Sequence, residues 1–89
     1  MKAVITVLGH DRIGIIASVT GVLAEEGINI LDISQTIMQN IFTMIMLVDL
    51  SKMKSGFSKL GDKLEKVGAQ LGVEIRLQRE EIFNSMHRI

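Results

Sequence analysis

Residues 28–50, INILDISQTIMQNIFTMIMLVDL, decide how the rest of the chain is read. In Ile28–Met38 the side chains alternate. Leu31, Ile33 and Ile37 fall on one face, and Asp32, Ser34 and Thr36 on the other. A period of two is the spacing of a strand, whose successive side chains leave the pleat on opposite sides. Ile41–Leu50 is the returning strand. Gln39 and Asn40 between them predict a hairpin turn, because Asn tolerates the positive φ that a tight turn needs. Two strands therefore follow each other directly in mid-chain.

Upstream of the hairpin, Lys2–Leu8 is short, apolar and β-branched, and reads as a strand. A helix is expected from about Ile13 to Glu26. Ile16, Val19 and Leu23 keep helical spacing, with Ile15 and Val22 flanking them. Asp11 offers an N-cap, and Gly27 is placed to end the helix in the left-handed region. Downstream, SKMKS is a polar connector. From Gly56 to Leu71 the apolar set is Phe57, Leu60, Leu64, Val67 and Leu71, spaced for one helix face. Lys59, Lys63 and Lys66 lie off that face and, with Lys52 and Lys54, read as solvated. VEIRLQR, residues 73–79, alternates again.

The order is strand, helix, strand, strand, helix, strand. It implies an α+β, ferredoxin-like βαββαβ sandwich: a four-stranded antiparallel sheet with both helices on one face. Residues 1–79 make one domain with no linker inside it. The helices can cover one sheet face only, yet the first and third strands are apolar on both (Val4 and Leu8 behind Ala3, Ile5 and Val7; Ile41, Ile45 and Leu47 behind Phe42, Met44, Met46 and Val48). A strand apolar on both sides is normally buried on both. One candidate cover is a second copy of the chain. The other is the tail, residues 80–89, expected as a short amphipathic helix packing on this sheet or on a neighbour's. In it Ile82, Met86 and Ile89 fall at i, i+4 and i+7, beside Phe83.

Composition narrows the function. The 89 residues carry ten basic and ten acidic side chains, and this zero balance argues against a broad nucleic-acid-binding surface. Cysteine is absent, so there is no disulfide, thiol nucleophile or thiolate metal site, which fits the cytoplasm. Apolar runs such as FTMIMLV are far too short to span a bilayer, and the N-terminus reads as a strand and not a signal peptide. His10, Asp11 and the distant His87 form no spaced metal motif, and no cofactor is expected. Ser, His and Asp occur without a nucleophile elbow. One aromatic residue in a strand, Phe42, is too few for RNA-type base stacking. Met44 and Met46 read as adaptable core or interface.

The stretch LGHDRIGIIASV, residues 8–19, joins the first strand to the first helix. A helix start presents unsatisfied N–H groups and a positive dipole end, which accept a carboxylate or phosphate. Gly14 lets a ligand approach the backbone. Asp11 either caps the helix or points outward to an ammonium group. Such a pair is matched to an α-amino acid, though the plain cap is the commoner use. Asn29 opens the second strand at the far end of the helix, so only a neighbouring copy would bring it to the loop.

GHDRIGIIASVTGVLAEEGINI resembles the ACT domain signature: Asp-Arg-x-Gly after the first strand, then Gly-x-Asn-Ile entering the second. The element order agrees over residues 2–79. The small stand-alone bacterial ACT proteins of the UPF0237 group are similar along the whole chain, tail included. The N-terminal domains of formyltetrahydrofolate deformylase and of the glycine-cleavage repressor are similar too. The resemblance implies a regulatory module, not an enzyme, that binds an amino acid or related metabolite between paired domains. Carried over by motif position, it points to Asp11, Arg12, Ile13 and Gly14 in the loop and to Asn29 across the interface, and Ile13 departs from the proline often found there. ACT domains are usually fused to what they regulate, so this one is expected to act in trans on a protein not named by the sequence, as a homodimer. The competing expectation is a ligand-free interaction module that uses its sheet face, edge or tail.

Overall fold

The computed structural model describes residues 1–81. Four strands, β1 (Lys2–His10), β2 (Asn29–Met38), β3 (Ile41–Asp49) and β4 (Val73–Arg79), alternate with two helices, α1 (Ile15–Glu25) and α2 (Phe57–Leu71), in the order β1-α1-β2-β3-α2-β4. The sheet order is β2-β3-β1-β4, and every neighbouring pair is antiparallel. The ferredoxin-like fold expected from the sequence is the fold observed.

The central strands are the two that are apolar on both faces. In the β1–β3 register Ala3 faces Val48, Ile5 faces Met46 and Val7 faces Met44. These side chains meet Ile15, Val19 and Leu23 of α1 and Leu60 and Leu64 of α2 in one buried core. Each such side chain taken out of water contributes about 1.5–3 kcal/mol before ordering costs. Met44 and Met46 have no exposed surface, so they are core. The hairpin turn also forms as expected, with φ of 49° at Gln39 and 70° at Asn40.

The first helix departs from the sequence reading in two linked ways. It starts at Ile15, and its N-cap is Gly14 at φ 95°, with no side-chain cap. Asp11 lies three residues before that cap and cannot serve as one. The turn at Gly14 also sets the helix rotation, so Ile15 enters the core while Ile16 stays 40% exposed. Ile15 and Ile16 both keep helical spacing with Val19 and Leu23, so periodicity alone did not choose between them.

Of the predicted tail helix, Glu80 and Glu81 are helical, and residues 82–89 lie outside the described residues. Among those described, no helix is long and apolar enough to cross a membrane.

Candidate functional site

The loop between β1 and α1 is held from two sides. The Asp11 amide donates to the Asn40 carbonyl at 2.7 Å, tying the loop to the β2–β3 turn. The Arg12 guanidinium donates through Nη1 to the Leu71 carbonyl at 2.9 Å, at the C-terminal end of α2. There it satisfies a carbonyl that the helix leaves without a partner. Arg12 therefore has a structural use, and its reach of 59 residues leaves no local sequence signal.

What the loop leaves free is its outer surface. The Asp11 side chain is exposed, and among the described residues it has no hydrogen-bonding partner. Ile13 is fully exposed. A Cβ built on Gly14 would meet nothing within 4 Å. The first intrahelical bond runs from the Ser18 amide to the Gly14 carbonyl at 2.9 Å, so the amides of Ile15, Ile16 and Ala17 carry the positive end of the helix dipole. The exposed Asp11 carboxylate and the N-terminal amides of α1 thus belong to one short strand-to-helix connection.

Asn29 is at the other end of the sheet. It pairs with Asp49 in the β2–β3 register. It lines a shallow cavity of about 210 Å³ with Gly27, Asp49, Ser51 and Lys52. Hydrogen bonds from the Ser51 hydroxyl and amide hold the Asp49 carboxyl below the usual aspartate range. Nine residue steps along β2 separate Asn29 from Met38, which is roughly 30 Å of strand. One chain brings Asp11, Arg12, Ile13 and Gly14 together and leaves Asn29 apart from them.

Sequence reasoning missed Glu26. It is buried, 3% exposed, just past the end of α1. Its Oε1 accepts the Ser55 amide at 3.0 Å and the Ser55 hydroxyl, and its Oε2 pairs with Lys63 Nζ. The Lys63 ammonium first, and then Ser55, draw its pKa from 4.5 down to about 2. The cluster clamps α1, the β3–α2 connector and α2 together. Lys63 is thus not simply part of a solvated helix face. An acidic residue at a helix end is a weak signal, because such residues are usually solvated.

A cavity of about 720 Å³ forms a groove between α2 and β4 floored by Phe57, Ile75 and Leu77, and none of the loop residues lines it. Among the described residues no group of three or more His, Asp or Glu is placed to hold a metal ion.

With this geometry in hand, the chain matches the model of the ACT domain family over residues 2–78. The chain belongs to the ACT domain family. A UPF0237 protein of Clostridium acetobutylicum is 60% identical over 89 residues, the full length of both chains. A solved ACT domain protein from Streptococcus pneumoniae is 46% identical with a TM-score of 0.80, covering 98% of each chain. The regulatory subunit of aspartate kinase from Thermus thermophilus, in ligand-free form, is 32% identical with a TM-score of 0.66; the match covers 86% of this chain and 50% of that one. The two other likenesses read from the sequence also recur. A structure assigned as a glycine cleavage system transcriptional repressor is 26% identical, and a formyltetrahydrofolate deformylase from Pseudomonas syringae shares the fold at 17%.

Proposed function

We propose that the protein is a regulatory ACT module in which two copies pair to build a site for an α-amino acid or a related metabolite. The observation that carries this reading is the β2 edge. Nine of its ten residues are exposed, and no other described strand pairs with its outer side. An unpaired edge is a template for another strand. If two β2 strands pair antiparallel over their full length, Asn29 of one copy falls opposite Met38 of the other. Met38 leads into the turn whose Asn40 carbonyl holds Asp11. The 30 Å gap inside one chain would then close between chains. In that site the α1 amides take the ligand carboxylate, Asp11 takes its ammonium, and Asn29 closes it from the partner copy. Ile13 is placed to give an apolar wall, and Gly14 leaves room for the ligand. Arg12 lines the loop while bracing it against α2.

The module works in the cytoplasm and in trans, by presenting a ligand-dependent surface to the protein it regulates. The regulatory subunit among the solved structures supports this reading. A thermal-shift panel of the common amino acids, with sedimentation mass, tests it. At a ligand concentration 100 times the dissociation constant, stabilisation is about 2.7 kcal/mol. A hit that weakens in both Asp11→Ala and Asn29→Ala is the expected result. A strict monomer removes the site, and a dimer silent to the whole panel favours the ligand-free interaction module.

A further inference from the structure

The two flanks of α2 carry opposite charge. Lys63 reaches from one flank to Glu26 past the end of α1, and Lys59, one turn earlier, shares that flank. The other flank turns toward β4 and carries Asp62 and Glu65. Among the described residues neither carboxylate has an ion-pair or hydrogen-bond partner. Lys66 stands beside both, four residues after Asp62, and pairs with neither. Glu74 of β4 adds a third carboxylate to the same lining, and its exposed pair with Arg76 at 3.3 Å is of the weak surface kind. Between these acids the floor is apolar. Phe57, Ile75 and Leu77 are half-buried, and they line the groove of about 720 Å³. The α2 wall is low because Ser58, Gly61 and Ala69 are small, and a Cβ on Gly61 would meet nothing within 4 Å.

We propose that this groove holds a basic segment with apolar anchors, supplied by the protein that the module regulates. Carboxylates without partners above an apolar floor are complementary to lysines or arginines that flank a leucine-like side chain. The length suits a chain segment better than a single small molecule. Ser58 to Ala69 spans roughly 17 Å of helix at ~1.5 Å per residue. The β4 edge is short and charged, which disfavours an added strand, so the segment lies along α2 as a helix in a groove. The position also suits regulation. Arg12, in the β1–α1 loop, donates to the Leu71 carbonyl, two residues past Ala69, so the loop holds the helix that walls the groove. Calling the segment's owner a regulated protein rests on the in-trans role proposed above.

The test uses the full-length protein and a labelled amphipathic helical peptide of leucine and lysine, with a control peptide carrying glutamate at every lysine. The lysine peptide should bind and the glutamate peptide should not. Gly61→Leu, which fills the groove, should weaken binding at least tenfold, and so should Glu65→Lys. Glu25→Lys, an equal charge reversal at the exposed end of α1, should change affinity less than twofold. In methyl spectra the peptide should shift Ile75 and Leu77 and leave Ile33 and Ile37 of β2 in place. No binding of the lysine peptide overturns the proposal, as does equal binding of the glutamate peptide. So do an unaffected Gly61→Leu, equal losses in Glu65→Lys and Glu25→Lys, or shifts centred on Ile33 and Ile37. None of these readings uses an added amino acid, so a panel of amino acids that is silent would remove the ligand site and leave the groove standing.

Discussion

The two edges of this sheet are built to opposite specifications. β4 has seven residues, of which Glu74, Arg76 and Arg79 are charged, and its inner side is packed against α2. Arg79 covers the Phe57 ring at 5.1 Å, and Arg76 pairs with Glu74 at 3.3 Å. β2 has ten residues and one charge, Asp32, and it exposes Leu31, Ile33, Ile37 and Met38. Short length and charge are the devices by which sheets avoid unwanted strand pairing. β4 has both, whereas β2 is longer and has a single charge. A small domain that guards one edge and leaves the longer, more apolar one bare has that edge available for a partner strand. The same edge is the route by which Asn29 can reach a loop.

The comparison breaks most visibly at β2. Ile37 lies opposite Phe42 but is 54% exposed, so Ile37→Lys should spare the fold of a single chain. It should weaken self-association by about 100-fold, or about 2.7 kcal/mol, read by sedimentation across a concentration series. Arg76→Ile on β4 should leave the dimer constant unchanged. Equal effects of the two variants would remove the distinction between the edges.

Next in size is the packing that protects β4. A Cβ on Gly68 would lie 2.7 Å from the Val73 carbonyl oxygen, which is backbone and cannot swing away. Gly68→Ala should therefore cost about 1–2 kcal/mol in chemical denaturation, even after the helix-propensity gain of about 1 kcal/mol. Gly21→Ala in α1, where a Cβ would meet nothing within 4 Å, should instead gain about 0.5–1 kcal/mol. A neutral Gly68→Ala would mean that α2 and β4 are less tightly joined than the close approach indicates.

Between the edges, the helix layer is clamped at Glu26. Its folded pKa, about 2, lies below the ordinary 4.5. A depressed carboxyl stabilises the fold above its unfolded pKa, and that contribution is lost as pH falls through the folded value. Glu26→Gln should therefore lower the melting temperature at pH 7. The gap to the unchanged protein should narrow from about pH 4.5 downward and close near pH 2. A gap that stays constant across that range would show that the Lys63 and Ser55 contacts do not hold the ionised form.

The features legible in the sequence were those set by local periodicity. Alternation in residues 28–38 and 73–79, the Gln39–Asn40 turn and the Phe57–Leu71 face sufficed for element order, and element order sufficed for topology. The features that were not legible depend on a dihedral angle or on distant partners. Gly14 at φ 95° moved the start of α1 and exchanged Ile16 for Ile15 in the core. Glu26 finds Ser55 and Lys63 at separations of 29 and 37 residues. The separation of Asp11 from Asn29 was legible in the element order, and the strand geometry adds its length, roughly 30 Å.

The smallest expected effect is the one that separates bracing from binding in the loop. Arg12 donates to the Leu71 carbonyl at an exposed helix end, where one hydrogen bond is worth about 0.5–1.5 kcal/mol. Arg12→Ala should lower stability by about that much with no added ligand, and Arg12→Lys should recover only part of it, because an ammonium lacks the guanidinium's planar reach. If Arg12 only braces the loop, any amino acid that shifts the melting temperature should shift it by the same increment in Arg12→Ala. If the guanidinium leaves Leu71 to meet the ligand carboxylate, the increment itself should shrink. In that case ligand binding would also loosen the C-terminal end of α2, next to the guarded edge, and hydrogen exchange at Gly72 and Val73 would rise on ligand addition. Exchange that is unchanged or slower there would leave Arg12 as a brace, with Asp11 as the loop's only charged contact.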